Sequence, residues 1–291
     1  MKTVKELLEL LELKQINDTT FEGKSFSIGN PNVFGGQVLA QALNAAYRTV
    51  SDERSCHSFH AYFILPGDLE KPIVFKVHLV RDGGSFTTRY ITANQEDKSI
   101  FVMAASFQKE ESGYDFQHKM PDAPEPDSLL SWDEIYEQTK DFLPQKINSF
   151  LSKKRPLTIK PTVINNPFES EDLPPEQKVW FKFNEMLPDL SARHFHEMLA
   201  YASDYNLLST TILPHASVAK ISNTQMASLD HAIWFHRLPT DFSDWFLYVS
   251  EVESNANARG LAKGTIYSRD GLLIATVAQE GLIRKIRKQE K

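Results

Sequence analysis

Segments in the second half of this chain repeat segments of the first half in the same order. FHAYF (59–63) aligns with DHAIWF (230–235), and AASFQ (104–108) aligns with ATVAQ (275–279). The paired residues keep the same spacing, because His60 lies 48 positions before Gln108 (108 − 60) and His231 lies 48 before Gln279 (279 − 231). A long internal repeat of this kind predicts two structural units built on one plan.

Each half contains a short strand, an apolar helix and then a series of strand-like runs. The short strands lie near 21–28 and at 178–184, and the helices are FGGQVLAQALNAAYRTV (34–50) and HFHEMLAYASDYNLL (194–208). The runs, rich in aromatic and β-branched residues, are CHSFHAYFIL (56–65), PIVFKVHLV (72–80), SFTTRYITA (85–93) and SIFVMAASFQ (99–108), then ASLDHAIWFHRL (227–238), WFLYVSEVES (245–254), ARGLAKGTIYS (258–268) and LLIATVAQEGLI (272–283). Short connections between the strands favour antiparallel pairing.

A helix that is apolar on most faces must be enclosed, and a curved antiparallel sheet can enclose it. The pattern therefore predicts an α+β protein with two β-α-β-β-β-β units, each a central helix wrapped by a sheet. This arrangement is the hotdog fold, present here twice. Joining the two sheets edge to edge would satisfy their open edges.

Prolines separate the two units. Nine of the fifteen prolines lie between Pro121 and Pro175, in a charged, turn-rich region typical of a linker. We predict a first unit with an N-terminal helix at 1–115, a linker at 116–175 and a second unit at 176–291. Within the linker, the pattern indicates one helix (132–142) and one strand (157–164).

Charge and cysteine content narrow the classes of function. The net charge is −6, which does not suit a nucleic-acid-binding protein. No stretch approaches the ~18 consecutive apolar residues of a membrane span. A single cysteine, Cys56, excludes an intrachain disulfide and suits a reducing compartment. The chain ends in RKQEK rather than the peroxisomal signal Ser-Lys-Leu, so a cytoplasmic location is expected.

Asp204 stands out in the second helix. In continuous helix its neighbours three and four positions away are Ala200, Tyr201, Leu207 and Leu208, and none of these carries a compensating charge. Burying an unpaired carboxylate is costly. Either a distant group satisfies Asp204, or its perturbed acidity serves a chemical purpose.

Eight segments together resemble acyl-CoA thioesterase II, the TesB-like family. The segments are VFGGQVLAQAL (33–43), HSFHAYFILPGD (57–68), RDGGSFTTR (81–89), ASFQ (105–108), LAYASDYNLL (199–208), LDHAIWFHR (229–237), ARGLAKG (258–264) and AQEGLIR (278–284). The resemblance implies a double-hotdog enzyme that hydrolyses fatty acyl-CoA to free fatty acid and CoA. It also implies assembly as a homodimer or homotetramer and no cofactor.

The family's catalytic trio matches Asp204, Ser228 and Gln279, with Ser where typical bacterial members carry Thr. In this interpretation the Asp204 carboxylate takes a proton from water, while the hydroxyl and the amide orient that water. We expect the backbone N–H groups of Gly35, Gly36 and Gln37, at the start of the first helix, to polarise the thioester carbonyl.

The repeat gives each member of the trio a counterpart in the first half. Asn44 corresponds to Asp204, His57 to Ser228 and Gln108 to Gln279. An amide at position 44 cannot accept the proton, so we predict one active centre per chain, formed by residues of the second half.

Several histidines are further candidates for a role at the site. His231, near Ser228 in sequence, is expected to support the catalytic side chains from behind and to take no part in the reaction itself. The pairs His57/His60 and His194/His196 lack the accompanying Cys or carboxylate spacing of a metal site, so no metal is predicted. Two other functions stay open: a non-catalytic acyl-CoA-binding protein, and an enoyl-CoA hydratase-like enzyme, which would need an Asp/His motif not found here.

Overall fold

The computed structural model describes residues 1–29, 31–142, 148, 151–164, 171–220 and 223–286. Its α-helices are α1 (Val4–Leu11), α2 (Gly35–Tyr47), α3 (Trp132–Thr139), α4 (Ala192–Ser203) and α5 (Leu207–Thr210). Its strands are β1 (Lys14–Asn17), β2 (Thr20–Gly23), β3 (Arg54–Phe63), β4 (Ile73–Asp82), β5 (Phe86–Gln95), β6 (Lys98–Lys109), β7 (Leu157–Pro161), β8 (Glu176–Phe183), β9 (Thr224–Ser228), β10 (Asp230–Phe235), β11 (Phe246–Ala256), β12 (Arg259–Ser268) and β13 (Leu273–Lys285).

These strands form one continuous antiparallel sheet. Its order is β1-β2-β4-β5-β6-β3-β10-β13-β12-β11-β8-β7, with β9 added on β13. The order β2-β4-β5-β6-β3 in the first half matches β8-β11-β12-β13-β10 in the second, so the two halves share one topology. The predicted double hotdog with its sheets joined edge to edge is confirmed.

The two halves meet where β3 pairs with β10. His60 lies opposite Ala232, and Ala61 lies opposite His231. Adding the repeat offset of 171 residues (231 − 60) to His60 and Ala61 gives His231 and Ala232, so each pair is the image of the other. The joint therefore has the register of a two-fold axis, as when two identical subunits pair through the same edge.

Helices α2 and α4 lie antiparallel and in contact inside the curve of the sheet. Residues Gly36 to Tyr47 of α2 are buried, as are Phe195 to Ser203 of α4. The ring of Phe34, just before α2, packs edge-on against Tyr201 of α4, with ring centroids 5.2 Å apart. A Cβ on Gly36 would lie 2.5 Å from the Tyr201 carbonyl oxygen, so glycine is needed for the helices to approach this closely.

The second helix is shorter than the sequence predicts. It ends at Ser203, Asp204 is its C-cap, and Asn206 adopts a left-handed conformation (φ 65°) before α5 begins. The prediction of one helix through Leu208 is wrong, because the left-handed Asn206 breaks it. Asp204 consequently lies at the C-terminal end of α4 and not within a continuous helix.

The linker contains both predicted elements. α3 begins with a capping box formed by Ser131 and Glu134 and is followed by a 3₁₀ turn over Lys140–Phe142. β7 pairs with β8 and ends at Pro161, earlier than the predicted 164. The boundaries at 115 and 175 stay predictions.

The connection between helix and central strand differs between the halves. Residues 48–53 join α2 to β3, whereas residues 204–229 join α4 to β10 and contain both α5 and β9. The sequence did not reveal β9 as a separate strand, because Leu229 interrupts an otherwise continuous β pattern. None of the described helices has the length and apolar character needed to cross a membrane.

We predict that Gly36→Ala destabilises the fold. The added methyl would meet the Tyr201 carbonyl oxygen, which cannot move without shifting α4, so we expect a loss of about 1–3 kcal/mol in the free energy of unfolding. Gly84→Ala is the control, because nothing lies within 4 Å of the new Cβ, and its effect should stay within about 0.5 kcal/mol. Urea unfolding measures both, and equal midpoints for the two variants would contradict the packing argument.

Candidate active site

One amide group joins the three predicted catalytic side chains. Gln279 Nε2 donates to Asp204 Oδ1 at 2.7 Å and to Ser228 Oγ at 2.9 Å. The structure thus brings Asp204, Ser228 and Gln279 into one hydrogen-bonded group, although they come from the end of α4, from β9 and from β13. Because a carboxylate only accepts hydrogen bonds, the NH₂ side of the Gln279 amide must face Asp204.

Strand geometry explains why Ser228 and Gln279 meet. Ser228 pairs with Gly281 across β9 and β13, and Gln279 lies two residues before Gly281 on the same, inner face of β13. Ser228 and Gln279 are therefore diagonal neighbours within reach of each other. Gly281 leaves room beside them, since a Cβ there would lie 2.2 Å from Leu208 Cδ1.

The first half of the chain holds the other oxygen of Asp204. Gly36 N, in the first turn of α2, donates to Asp204 Oδ2 at 2.8 Å. The N-terminus of a helix carries partial positive charge and stabilises an anion placed there. A Cβ on Gly35 would lie 2.8 Å from the same oxygen, so the glycine pair lets the carboxylate reach the start of α2.

Burial dominates the acidity of Asp204. Its side chain is 6% exposed, and removing the carboxylate from water raises its pKa from 3.8 to about 6, although the hydrogen bonds from Gln279 and Gly36 act in the opposite direction. The group is therefore charged near neutral pH and a stronger base than a solvated aspartate. This combination suits a general base.

His231 lies behind the carboxylate. Its Nε2 is 2.9 Å from Ser203 Oγ, and its Nδ1 is 4.0 Å from Asp204 Oδ1, beyond hydrogen-bond distance. Complete burial lowers the pKa of His231 to about 3, so the ring is neutral at physiological pH. The predicted bracing role stays a prediction, but the residue does border the site.

Two of the three amides proposed to polarise the carbonyl are already engaged. Gly36 N donates to Asp204, and Gln37 N donates to Phe34 O at 3.1 Å. Gly35 N donates no backbone hydrogen bond in the described part of the chain. The Gln37 side chain is structural, since its Nε2 donates to Lys24 O at 2.7 Å.

The first-half counterparts form a different arrangement. Asn44 Nδ2 donates to both carboxylate oxygens of Glu197 at 3.2 Å, and His57 Nε2 lies 2.8 Å from Ser106 Oγ. Within the described ranges, Asn44, His57 and Gln108 share no hydrogen bond with one another. Of the two corresponding sets of residues, only Asp204, Ser228 and Gln279 are joined to one another by hydrogen bonds.

The histidine pair His194/His196 has other partners. His194 interacts with the N-cap Ser191 of α4, and His196 Nδ1 lies 2.7 Å from Tyr47 Oη. In the residues that the structure describes, no three His, Cys, Asp or Glu side chains are grouped to bind a metal ion.

Two residues next to the site were not singled out from the sequence. Ser203 contacts His231, and Tyr248 Oη on β11 donates to the Ser203 carbonyl at 2.8 Å. Neither has a sequence signal of its own. Ser203 precedes Asp204 directly, but its contact with His231 depends on how α4 lies against β10.

Comparisons with known proteins agree across the whole chain. A family model described as "Acyl-CoA thioesterase" matches residues 147–282, and one described as "Acyl-CoA thioesterase N-terminal domain" matches 23–108. "Acyl-CoA thioesterase 2" of Haemophilus influenzae is 40% identical over 96% of both chains. The chain belongs to the acyl-CoA thioesterase family. It is accordingly an enzyme of the thioester hydrolase class.

More distant relatives and solved structures agree with this membership. "Acyl-coenzyme A thioesterase 8" of Homo sapiens is 33% identical, covering 94% of this chain and 88% of its own length. The crystal structure of acyl-CoA thioesterase II TesB2 from Mycobacterium marinum superposes with a TM-score of 0.78 at 34% identity, covering 96% of this chain and 98% of that one. Membership favours hydrolysis over the enoyl-CoA hydration and non-catalytic binding considered from the sequence.

We predict that kcat/KM of this thioesterase falls about tenfold per pH unit below pH 6. Asp204 can accept a proton only while ionised, and its pKa of about 6 sets the pH at which the ionised fraction declines. Initial rates between pH 4.5 and 8 with one thioester substrate measure this decline of kcat/KM on the acid side, the acid limb of the pH profile. Full activity maintained down to pH 4.5 would show that no base of this acidity is required.

Proposed function

We propose that Asp204 acts as the general base for hydrolysis of fatty acyl-CoA to free fatty acid and CoA, with Ser228 and Gln279 orienting the attacking water. One observation carries the proposal: Gln279 Nε2 bridges Asp204 Oδ1 and Ser228 Oγ. A water lying against these two oxygens can donate to the carboxylate and accept from the Ser228 hydroxyl. These two hydrogen bonds leave one lone pair of the water oxygen free, and they orient it toward the carbonyl carbon of the substrate.

The proposed reaction has two steps. As Asp204 takes a proton from water, the water oxygen bonds to the thioester carbonyl carbon and the carbonyl electrons move to its oxygen. The tetrahedral intermediate then collapses, the C–S bond breaks, and Asp204 returns its proton to the sulfur of CoA. Atoms and charge balance without any cofactor.

The negative oxygen of the intermediate needs a hydrogen-bond donor. The N–H groups of Gly36 and Gln37 already donate to Asp204 and Phe34. Of the three predicted amides, we therefore assign Gly35 N–H as the donor to the negative oxygen. The start of α2 adds a favourable electrostatic contribution for developing negative charge.

The proposal includes one active centre per chain. Asn44 occupies the place of Asp204 in the first half and cannot take up a proton, and its amide is bound to Glu197. An assembly into homodimers or homotetramers and a cytoplasmic location are further proposals. The second of these is supported by Cys56, a buried free thiol, which suits a reducing compartment.

We predict that Asp204→Asn lowers kcat by about 10²–10⁴-fold, because an amide copies the shape of the carboxylate but cannot accept the proton. CoA release from a series of saturated acyl-CoAs, from butyryl to stearoyl, measures turnover and chain-length preference together. Asp230→Asn is the matched control. Asp230 accepts a hydrogen bond from Glu280 N on the outer face of the sheet, so its loss should leave turnover near the wild-type value. Near-normal hydrolysis by Asp204→Asn would refute the assignment.

We also predict that no acyl-enzyme forms during turnover. Because water attacks directly, acid-quenched reactions in the steady state should contain protein of unmodified mass only. Mass spectrometry of the intact chain makes this measurement. A species heavier by one acyl group, mapped to Asp204 or Ser228, would replace the proposed mechanism with a covalent one.

A further inference from the structure

The Ser203 hydroxyl lies between two partners whose chemistry fixes its proton. Ser203 Oγ is 2.9 Å from Ala200 O, one turn earlier in α4, and 2.9 Å from His231 Nε2. A carbonyl oxygen can only accept, so the single hydroxyl proton is donated to Ala200. The Ser203 oxygen is then left as an acceptor, and His231 Nε2 must carry the proton that it accepts.

This bond determines what the other side of the imidazole presents. A neutral ring with its proton on Nε2 has a bare lone pair on Nδ1. His231 is fully buried, its Nδ1 has no hydrogen-bond partner in the described part of the chain, and Asp204 Oδ1 lies 4.0 Å away. A hydrogen-bond acceptor therefore faces a carboxylate, with no proton between them.

We propose that Ser203 locks His231 in the Nε2–H tautomer, and that the lone pair thereby presented to Asp204 keeps the carboxylate a strong base. This inference rests on the proposed role of Asp204 as general base. An acceptor beside a carboxylate disfavours its charged form, whereas the Nδ1–H tautomer would point a donor at Oδ1 and favour that form. The locked tautomer thus favours the protonated Asp204 that forms when water is deprotonated.

A contact to the backbone of Ser203 holds the end of α4 in position. Tyr248 Oη on β11 donates to the Ser203 carbonyl at 2.8 Å. A Cβ on Gly264 of β12 would lie 2.3 Å from Tyr248 Cε2, so the glycine leaves the space that the tyrosine ring occupies. These contacts fix the last turn of α4 and hold the Ser203 side chain against His231.

The tyrosines near Asp204 do not change their protonation state in the pH range of the assay, so they do not account for a shift of the acid limb. Tyr201 on α4, Tyr205 after it and Tyr248 on β11 lie near the carboxylate, and burial raises the pKa of each, to about 12 for Tyr205. All three stay neutral where the enzyme works. Arg155 lies near Tyr201 and Tyr205, while Asp230 and Glu280 are on the outer face of the sheet.

Ser203→Ala tests the proposal, because it removes the acceptor of the Nε2 proton without changing a group that touches substrate. His231 should then shift toward the Nδ1–H tautomer and donate to Asp204. We expect the acid limb of kcat/KM to move down by about one pH unit and kcat to fall about tenfold. Ser203→Thr retains the hydroxyl and should keep the wild-type limb and tautomer.

The tautomer is also measured directly, in wild-type enzyme without substrate, from the ¹⁵N chemical shifts of the His231 ring. We expect an unprotonated Nδ1 and a protonated Nε2 in the wild type, and a protonated Nδ1 in Ser203→Ala. A protonated Nδ1 in the wild type overturns the proposal even if the variant does not fold. An unchanged acid limb in a folded Ser203→Ala enzyme also overturns it.

The two proposals fail in different ways. If Asp204→Asn is inactive while the tautomer or the acid limb contradicts the lock, Asp204 remains the base and only the role of Ser203 is lost. If Asp204→Asn is fully active, the proposed function itself fails, whatever the state of His231.

Discussion

The proposed active site depends on a single buried carboxylate held by both halves of the chain. Gly36 of the first half binds one oxygen of Asp204, and Gln279 of the second half binds the other. Neither half can form this arrangement alone. The pairing of β3 with β10 and the contact of α2 with α4 therefore support the proposed chemistry as well as the fold.

Holding the carboxylate in this place is unfavourable for stability. The pKa of Asp204 is about 6 in the folded protein against an ordinary value of 3.8, so the folded state retains its proton to higher pH than the unfolded state does. Stability from this group is greatest at low pH and declines between about pH 4 and pH 6. Above that range the cost is on the order of 3 kcal/mol, which the proposed role of Asp204 as general base accounts for.

The repeat was readable from the sequence because strand periodicity and spacing survive divergence. The two matching units, the edge-to-edge joining of their sheets and the presence of helices α2 and α4 follow from it, whereas the order of the strands within each sheet comes from the structure. The end of α4 at Ser203 does not, since Asp204 and its neighbours still read as helix and the left-handed Asn206 has no unambiguous signal. β9 was missed for a related reason: one residue, Leu229, separates it from β10.

The candidate site was predictable in part. A family resemblance pointed to Asp204, Ser228 and Gln279, and the structure brings them into hydrogen-bond contact, while their catalytic roles stay a proposal. The contacts that hold the buried Asp204 carboxylate are far apart in sequence. Gly36 is 168 positions from Asp204, and no local pattern links them. The proposed tautomer of His231 could not be predicted from the sequence, because it follows from a carbonyl, a hydroxyl and a ring nitrogen that meet only in the folded chain.

We infer that the Asp204 carboxyl, within the folded enzyme, is a much weaker acid than a solvated aspartate. Direct titration tests this most simply, by following the ¹³C chemical shift of the Asp204 side-chain carboxyl with pH, with Asp204→Asn to assign the signal. We expect a midpoint at about pH 6. A midpoint near 3.8 would contradict it.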